Sequence, residues 1–339
     1  MEWRSRLDSL FRVGEREFEL PPAFGRYRRF FPPEAVQHPA KAYTDVLEYL
    51  IKRYTRVGDL ILDPMAGTGS TGVVAALHGR HAILVDIEER FVRWMRRARE
   101  LVEKSQTLGP KGRIIVIHGD ARELSRLLGE HSGEIASVIT SPPFGEVMYK
   151  PNPGFWRRAR EMGLRWGSRP PSTTVIRYES SKNIGSLPHG SINAIITSPP
   201  YAESISRRAG GPVMVERVGV STKTARAYSY DDRNIGNLPF DKGWGGETYL
   251  EAMLKVYREC YKVLEPGGRI IIIIKPFIRG KRVVDLPYHT HLLLEKAGFK
   301  TIEVWRYRLR RLSFWRILYY RRHPEVPRIV HEYVLVAVK

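Results

Sequence analysis

Residues 60–72 read Leu-Ile-Leu-Asp-Pro-Met-Ala-Gly-Thr-Gly-Ser-Thr-Gly, a short apolar run followed at once by a loop with three glycines. Gly67, Gly69 and Gly72 satisfy the spacing G-x-G-x-x-G, and a helical pattern follows them. Glycines at this spacing permit a tight turn and let a ligand come close to the backbone. The next apolar run ends at Asp86, whose carboxylate is suited to both hydroxyls of a ribose. The stretch therefore predicts a strand–loop–helix–strand unit that binds a nucleotide-like cofactor.

The alternation of strands and helices continues outward from this unit. Apolar runs typical of strands recur at 82–85, 114–117, 136–140, 192–197 and 269–275. Helical patterns lie between or beside them at 38–55, 88–104, 122–128 and 249–264. Strands separated by helices predict an α/β fold with a mostly parallel sheet covered by helices. The last two strand patterns, 300–308 and 332–338, show no helical pattern between them and predict an antiparallel hairpin at the edge of the sheet.

A length of 339 residues favours one enlarged domain. Two long stretches rich in Gly, Pro, Ser and Arg interrupt the strand pattern without a sustained period, which is typical of insertions. We therefore expect a basic and aromatic N-terminal extension over 1–37 and one domain over 38–339, with insertions at about 145–190 and 204–246 and an arginine- and aromatic-rich C-terminal hairpin over 300–339.

The balance of charge indicates a polyanionic partner. The chain has 56 Lys and Arg residues against 36 Asp and Glu residues, a formal net charge of +20. A basic protein of this size is attracted to nucleic acid. The alternative is a thermophile surface rich in ion pairs, which the low counts of Gln and Asn would fit. Ion-pair networks need both signs, so the surplus of Arg and Lys favours nucleic acid.

Composition also excludes several classes of protein. Cys260 is the single cysteine, which excludes a disulfide framework and a cysteine-based zinc site, and we expect no metal. No apolar run approaches the roughly 20 residues that a membrane span needs. The first residues are charged and show no apolar signal-peptide stretch. We therefore expect a soluble, cytoplasmic protein with no membrane partner.

The segment Ser198-Pro199-Pro200-Tyr201 carries the sharpest chemical motif. An exocyclic amine on a base donates its lone pair into the ring, so it is a poor nucleophile until hydrogen-bond acceptors localise that pair. The Ser198 side chain and the Pro199 carbonyl suit this role, and two prolines hold the backbone rigid. Tyr201 suits stacking on a base flipped out of its helix. The alternative is a strand that merely ends in a Pro-Pro turn.

The motif has a second copy, Ser141-Pro142-Pro143-Phe144. Residues 137–144 read SVITSPPF and residues 194–201 read AIITSPPY, and the Asn-Ile-Gly at 183–185 recurs at 234–236. Both copies cannot end the same strand. We favour the later copy as the catalytic one, because its match is fuller and it precedes the helix and strand that continue the sheet. The earlier copy then lines the same pocket or is a relic.

Together these motifs resemble those of the S-adenosylmethionine-dependent amino-methyltransferases of the DNA-methylase-like group, over about residues 38–339. The glycine loop resembles D-P-F-x-G-S/T-G, and residues 38–41 resemble an H-P-x-K segment that borders the cofactor in that group. The resemblance implies a Rossmann-like class I methyltransferase fold with S-adenosylmethionine as cofactor. The residues that it assigns to the cofactor are His38, Lys41, Asp63, Met65, Ala66, Gly67, Thr68, Gly69, Asp86, Asp120 and Ala121. Taken singly, Asp120 is equally suited to capping the helix that follows it.

The resemblance also implies a target. Enzymes of this group methylate planar exocyclic amines, and serine at the first motif position is most typical of the cytosine-N4 branch. The chain is similar to archaeal-type members, some of which modify cytosine N4 in ribosomal RNA. We therefore expect structured RNA as the partner, either ribosomal RNA or the small-subunit particle, with DNA as the alternative. The target nucleotide, the number of methyl groups added and the oligomeric state are left open.

The C-terminal hairpin supplies the candidates for contacting RNA. No acidic residue occurs between positions 304 and 324, where arginines are interleaved with aromatic residues. Guanidinium groups bind phosphates, and aromatic faces stack on unpaired bases. Trp305 and Tyr307 alternate with arginines, so we expect one face of this strand to be buried. The candidate RNA-binding residues are Arg306, Arg308, Arg310, Arg311, Arg316, Arg321 and Arg322.

Three competing functions stay open at this point. The first is a DNA cytosine-N4 or adenine-N6 methyltransferase, which better methyl transfer to duplex DNA than to ribosomal RNA would support. The second is a non-catalytic RNA-binding protein with a methyltransferase fold, which would bind RNA without transferring a methyl group. The third is an NAD-dependent oxidoreductase, which the glycine spacing permits but which leaves the Ser-Pro-Pro-Tyr segment unexplained.

Overall fold

A computed structural model of the chain describes residues 2–18, 24–37, 42–107, 109–129, 135–138, 195–197, 234–235, 248–279, 281–309 and 314–339. The strands in these ranges are β1 (Gly14–Arg16), β2 (Leu60–Asp63), β3 (His81–Asp86), β4 (Ile114–His118), β5 (Ile135–Val138), β6 (Ile195–Thr197), β7 (Leu264–Ile274), β8 (Phe277–Arg279), β9 (Arg282–Val284), β10 (Lys300–Arg308) and β11 (His331–Val338). The helices are α1 (Leu7–Leu10), α2 (Pro33–Gln37), α3 (Thr44–Tyr54), α4 (Ser70–Leu77), α5 (Glu89–Lys104), α6 (Leu124–Leu128), α7 (Tyr249–Val263), α8 (Leu286–Ala297) and α9 (Phe314–Arg322). Two 3₁₀ turns span Gly25–Phe30 and Ala121–Glu123.

One large sheet organises the molecule. Its strands follow the order β1-β10-β11-β7-β5-β2-β3-β4, and β6 also pairs with β7. The strands β7, β5, β2, β3 and β4 run parallel to one another, whereas β11 is antiparallel to both β7 and β10. The predicted α/β fold, with a mostly parallel sheet and antiparallel C-terminal strands, is confirmed.

Each face of the sheet is covered by helices, and the alternation of side chains along a strand assigns residues to one face or the other. In β7, Ile270 and Ile272 pack with residues of α7 and α8, whereas Ile271 and Ile273 pack with residues of α3 and α4. All four isoleucines are buried. A strand that is apolar at every position is typical of a parallel sheet buried on both faces.

The ends of the helices follow local rules that the sequence carries. Thr248 caps α7 with a capping box, in which its hydroxyl accepts from the backbone N–H of Glu251 while Glu251 accepts from Thr248. Asp285 caps α8 by accepting from the backbone N–H of Tyr288, and Gly298 ends that helix at φ +105°. These caps fix where α7 enters β7 and where α8 enters β10.

The C-terminal strands depart from the prediction in two respects. The helix α9 (Phe314–Arg322) lies between β10 and β11, so the two strands are not joined without a helix. The pair also does not form the edge of the sheet, because β1 adds a parallel strand to the outer side of β10, with Gly14 opposite Trp305. A three-residue strand such as β1 is too short to show a period in the sequence, which is why it was not predicted.

Residues near the N-terminus are tied to the body of the fold by hydrogen bonds. The Ser5 hydroxyl and the backbone N–H of Arg6 both donate to the carboxylate of Asp285, each at 2.7 Å. The Tyr333 hydroxyl accepts from the backbone N–H of Ser5 at 3.1 Å. The segment therefore packs as part of the domain. Over the described ranges, no helix combines the length and the apolar character that crossing a membrane demands.

Candidate functional site

The glycine loop makes a sharp turn between β2 and α4. Gly67 and Gly69 have φ values of +52° and +78°, in the left-handed region that favours glycine. The backbone N–H of Ala66 donates to the Val85 carbonyl at 2.9 Å, and the N–H of Gly69 donates to the Ala66 carbonyl at 2.8 Å. These bonds hold the loop against the end of β3, so the predicted strand–loop–helix–strand unit is present.

Gly72 has a packing role in the same unit. A Cβ atom at Gly72 would lie 2.6 Å from Cδ1 of Leu84, a distance that would force the side chain of β3 to move. The absence of a side chain at this position lets α4 lie directly on β3. This close helix–strand contact is what the third glycine of a G-x-G-x-x-G loop provides.

Asp86 links the end of β3 to the glycine loop. One carboxylate oxygen accepts from the backbone N–H of Gly67 at 2.8 Å, and the other accepts from the backbone N–H of Glu88 at 2.9 Å. Burial raises the pKa of Asp86 to about 6, against the opposing effect of these two hydrogen bonds. Its carboxylate therefore fixes the turn of the loop as well as bordering the cleft beside it.

A cleft of about 450 Å³ opens at the carboxyl ends of β2, β3 and β4. Its walls combine apolar side chains with carboxylates, and its lining residues include Met65, Ile87, Phe91, Asp86, Asp120, Ala121, Asn234 and Ile235. Ligands of open α/β sheets bind at this edge. The structure thus brings Met65, Asp86, Asp120 and Ala121 together, as the sequence analysis expected. Asp63, also buried, ends the adjacent strand β2.

Asp120 performs the capping role that was its alternative interpretation. Its carboxylate accepts from the backbone N–H of Arg122 at 2.9 Å and forms an ion pair with the Arg122 guanidinium at 2.6 Å. Because Asp120 also lines the cleft, capping does not remove it from the site. A ligand that uses this carboxylate has to share it with Arg122.

Asn234 is a cleft residue to which the sequence analysis assigned no role. Its side-chain amide donates to the Glu88 carboxylate at 3.1 Å, and both side chains are buried. Glu88 comes two residues after Asp86 and directly before α5, so this bond connects a distant part of the chain to the cofactor edge. The repeated Asn-Ile-Gly sequence was the available signal, but a separation of 146 residues concealed the contact with Glu88.

The strands that lead into the two Ser-Pro-Pro segments occupy equivalent registers. Val138 of β5 and Ile195 of β6 both lie opposite Ile270 of β7. These two residues are also equivalent in the repeated sequence, since each comes three residues before the motif serine. The backbone of β7 therefore accepts either strand in the same alignment. Residues 141–144 and 198–201 themselves lie outside the described residues, as do His38 and Lys41.

The C-terminal arginines have different environments. Arg306 is buried, with 6% of its side chain exposed, and forms ion pairs with Asp8 and Glu15. The expectation that Arg306 faces RNA is therefore corrected: β1 places Glu15 directly opposite it. Arg308 is 57% exposed and pairs with Glu2 at 2.7 Å. Of the other candidates, Arg321 and Arg322 are exposed at the end of α9, Arg316 lies within α9, and Arg310 and Arg311 lie outside the described residues.

A second buried polar group lies at the same edge of the sheet, beyond β7. Lys275 directly follows β7, and its ammonium lies 3.8 Å from the Glu332 carboxylate. The Tyr307 hydroxyl donates to the other oxygen of Glu332. All three side chains are buried. The sequence analysis missed this cluster, because its members come together only through the pairing of β7, β11 and β10.

Comparison with known proteins bears on this geometry. Residues 22–100 and 192–339, about two thirds of the chain, match the N6_N4_Mtase family, which is described as DNA methylase. The matched ranges contain the glycine loop, Asp86 and the later Ser-Pro-Pro segment, whereas the earlier segment lies outside them.

Individual relatives match over shorter stretches. The type II methyltransferase M2.DpnII of Streptococcus pneumoniae is 41% identical over 66 residues, which are 20% of this chain and 25% of that protein. The DNA adenine methyltransferase YhdJ of Escherichia coli (strain K12) is 25% identical over 108 residues, 32% of each protein. Among solved structures, TrmN from Thermus thermophilus aligns with a TM-score of 0.43 and 14% identity, over 92% of this chain and 52% of that chain. The matched stretch spans a third or less of either curated relative.

Proposed function

Because this chain belongs to the N6_N4_Mtase family of DNA methylases, we propose that it is an S-adenosylmethionine-dependent N-methyltransferase that acts on the exocyclic amine of a nucleic-acid base. The observation that carries the proposal is the cleft beside the glycine loop, at the carboxyl ends of β2, β3 and β4. The family match includes this loop and a Ser-Pro-Pro-Tyr segment, the two parts that such a reaction needs.

The residues of the cleft fit the chemistry of S-adenosylmethionine. The cofactor is a sulfonium cation with an apolar methionine chain and an adenosine, and the cleft combines Met65 and Phe91 with the carboxylates of Asp86 and Asp120. Asp86 is ionised at neutral pH, since its pKa is about 6. Carboxylates next to a cation lower the free energy of binding, and apolar side chains cover the uncharged parts.

The chain then has to orient the base. When bound, S-adenosylmethionine supplies an electrophilic methyl group. Ser198 and the Pro199 carbonyl accept hydrogen bonds from the target amine and localise its lone pair, and Tyr201 stacks on the flipped base. Positioning of the amine in line with the methyl group provides most of the rate enhancement, and no strong general base is needed.

We assign this role to the later Ser-Pro-Pro copy. The family match supports the assignment because it includes residues 198–201 and leaves out residues 141–144. The equivalent registers of β5 and β6 on β7 make the earlier copy the alternative. Within one domain over 38–339, the insertions that follow each copy would then lie beside the target pocket.

Paired substitutions separate the two copies. Ser198→Ala with Tyr201→Ala should abolish methyl transfer, whereas the matched pair Ser141→Ala with Phe144→Ala should leave most of it. The measurement is transfer of a labelled methyl group, with cofactor affinity recorded for each variant as a control. The reverse pattern would move the catalytic role to the earlier copy.

For the target we propose cytosine N4 in structured RNA, with ribosomal RNA or the small-subunit particle as the substrate. Serine at the first motif position supports cytosine, and the net charge of +20 supports a polyanion. The exposed arginines at the end of α9 support contacts with phosphates. The burial of Arg306 removes one of the residues on which this expectation rested.

DNA is the second candidate substrate. The supporting observation is that the matched relatives include a type II methyltransferase and a DNA adenine methyltransferase. Mass spectrometry of nucleosides from ribosomal RNA and genomic DNA, with and without the gene, distinguishes the two. Loss of N4-methylated cytidine from ribosomal RNA is the expected result. Loss of a methylated base from DNA alone would overturn the RNA proposal, and loss from neither pool would overturn the enzymatic one.

A further inference from the structure

The Lys275–Glu332–Tyr307 cluster lies beside the strand that leads into the Ser-Pro-Pro-Tyr segment. Thr197, the last residue of β6, pairs with Ile272 of β7, and Lys275 comes three residues further along that strand. Tyr333 of β11 pairs with Ile274, which brings Glu332 next to Lys275. Tyr307 of β10 pairs with Glu332. The three residues therefore form a row across the carboxyl edge of the sheet.

This row is on the opposite side of the motif strand from the cofactor cleft. The strand β5 lies between β2 and β7, and β6 pairs with β7 in the same register, so β2 and its glycine loop are on one side and Lys275 is on the other. In-line transfer of a methyl group requires the cofactor and the accepting amine on opposite sides of the methyl carbon. A base held by the Ser-Pro-Pro segment therefore comes close to Lys275.

Stability alone does not account for an ion pair at this place. Only 10% of the Lys275 side chain and 2% of the Glu332 side chain are exposed. Removing two charges from water is costly, and apolar side chains of similar volume are often as stabilising as a buried ion pair. The ammonium and the carboxylate are also 3.8 Å apart, longer than a direct hydrogen bond. Buried ionisable groups at a sheet edge that binds ligands are candidates for function.

The neighbouring groups orient the pair. Tyr307 donates a hydrogen bond to Glu332, which fixes the position of the carboxylate. Burial raises the pKa of Tyr43, and the charge of Glu332 contributes to that rise, so this second hydroxyl lies within the electrostatic reach of the carboxylate. Tyr43 immediately precedes α3. Glu332 thus has a fixed position from which it directs the Lys275 ammonium.

An ammonium in this place matches the edge of a base next to its amine. A flipped base is recognised through hydrogen bonds to its Watson–Crick edge. Beside the exocyclic amine this edge presents an acceptor nitrogen, and cytosine adds a carbonyl oxygen. Lysine offers three N–H donors and no acceptor, so it can bind these acceptors but cannot compete with serine for the amine hydrogens.

We propose that Lys275 is a specificity-determining residue that donates a hydrogen bond to the acceptor atoms of the target base, with Glu332 and Tyr307 as its positioning residues. This inference rests on the proposed methyl transfer to a base amine. Cytosine has two such acceptors and adenine has one, so Lys275 favours cytosine over adenine.

The test uses the full chain with the variants Lys275→Met, Glu332→Gln and the double variant. Lys296→Met, an exposed lysine of α8, is the matched control. Each variant is measured for its unfolding midpoint, for S-adenosylmethionine affinity, and for kcat and KM with RNA and DNA that contain cytosine or adenine targets. Lys275→Met alone leaves a buried carboxylate without its cation and should be destabilised. The double variant should recover the unfolding midpoint.

The expected result is a separation of stability from activity. The double variant should bind S-adenosylmethionine as the wild type does, yet lose roughly 10- to 100-fold in kcat/KM for cytosine, the loss typical of one base-recognition contact. Its preference for cytosine over adenine should shrink, while the Lys296→Met control stays unchanged. A double variant with wild-type kcat/KM and base preference would overturn the inference and leave the pair a structural role. A wild type that transfers no methyl group to any nucleic acid would overturn the proposed function as well.

Discussion

The cofactor edge and the strand β10 both bury charged side chains, yet they neutralise the charges differently. At the cofactor edge, Asp86 accepts hydrogen bonds from two backbone N–H groups and borders a cleft that is open to a ligand. In β10, Arg306 is covered by the N-terminal segment and is paired with the carboxylates of Asp8 and Glu15. One charge is kept beside an opening, and the other is closed in by the protein itself.

The difference teaches how to interpret a basic chain. A net charge of +20 is a property of the composition, and it does not say which arginines face a partner. Arg306 spends its charge within the fold, where it joins the N-terminal segment to the sheet. Arg321, exposed at the end of α9, is placed to act on a polyanion. The task of a charged residue therefore depends on what covers it.

The largest effect should follow from Arg306→Met. Removing the cation leaves Asp8 and Glu15 without their partner, and we expect a loss of about 3 kcal/mol in the free energy of unfolding, near the low end for a buried pair because Glu15 stays partly in water. Chemical denaturation measures it. Arg308→Met, whose side chain is 57% exposed, is the control and should lose less than about 1 kcal/mol. Equal losses would contradict the contrast between a covered and an open arginine.

The pH dependence of stability tests the other side of the comparison. Burial raises the pKa of Asp86 to about 6, above an unfolded value of about 4, so its protonated form is favoured in the folded state. The stabilising contribution is complete below pH 4 and is lost as the pH rises to about 6. Relative to Asp86→Asn, the wild type should lose about 2 kcal/mol of unfolding free energy over this range. Parallel pH profiles for the two proteins would show that Asp86 does not titrate in this way.

Local sequence was enough to predict the cofactor edge, whereas contacts between distant segments were beyond it. The glycine loop, α4 and β3 are contiguous, and their spacing carries the turn and the strand end at Asp86. The burial of Arg306 depends on β1, a strand of three residues that is nearly 300 positions away. Lys275 and Glu332 become neighbours only through the register of β7 and β11. Alternation along β10 predicted that Trp305 and Tyr307 are buried, but it could not reveal that the intervening arginine is covered too.

A smaller effect is expected at the wall of the cofactor cleft. Asn234→Ala removes the hydrogen bond to Glu88 and should weaken S-adenosylmethionine binding roughly fivefold, the effect of about 1 kcal/mol. Calorimetric titration with the cofactor measures it. Asn183→Ala changes the same residue in the repeated Asn-Ile-Gly sequence and is the matched control. If the Asn183 variant binds more weakly and the Asn234 variant does not, the earlier repeat forms the cleft wall.

The smallest effect on stability should come from Arg321→Ala, which removes an exposed charge and should change the free energy of unfolding by less than about 0.5 kcal/mol. If Arg321 binds a phosphate, its loss should reduce the slope of log affinity against log salt concentration by about 1. Arg126→Ala removes another exposed arginine, in α6 on the face of the sheet that α7 covers, and should leave the slope unchanged. A change for Arg126 but not for Arg321 would place the nucleic acid on the α6 face. The open arginines that matter would then be those beside the cleft rather than those of α9.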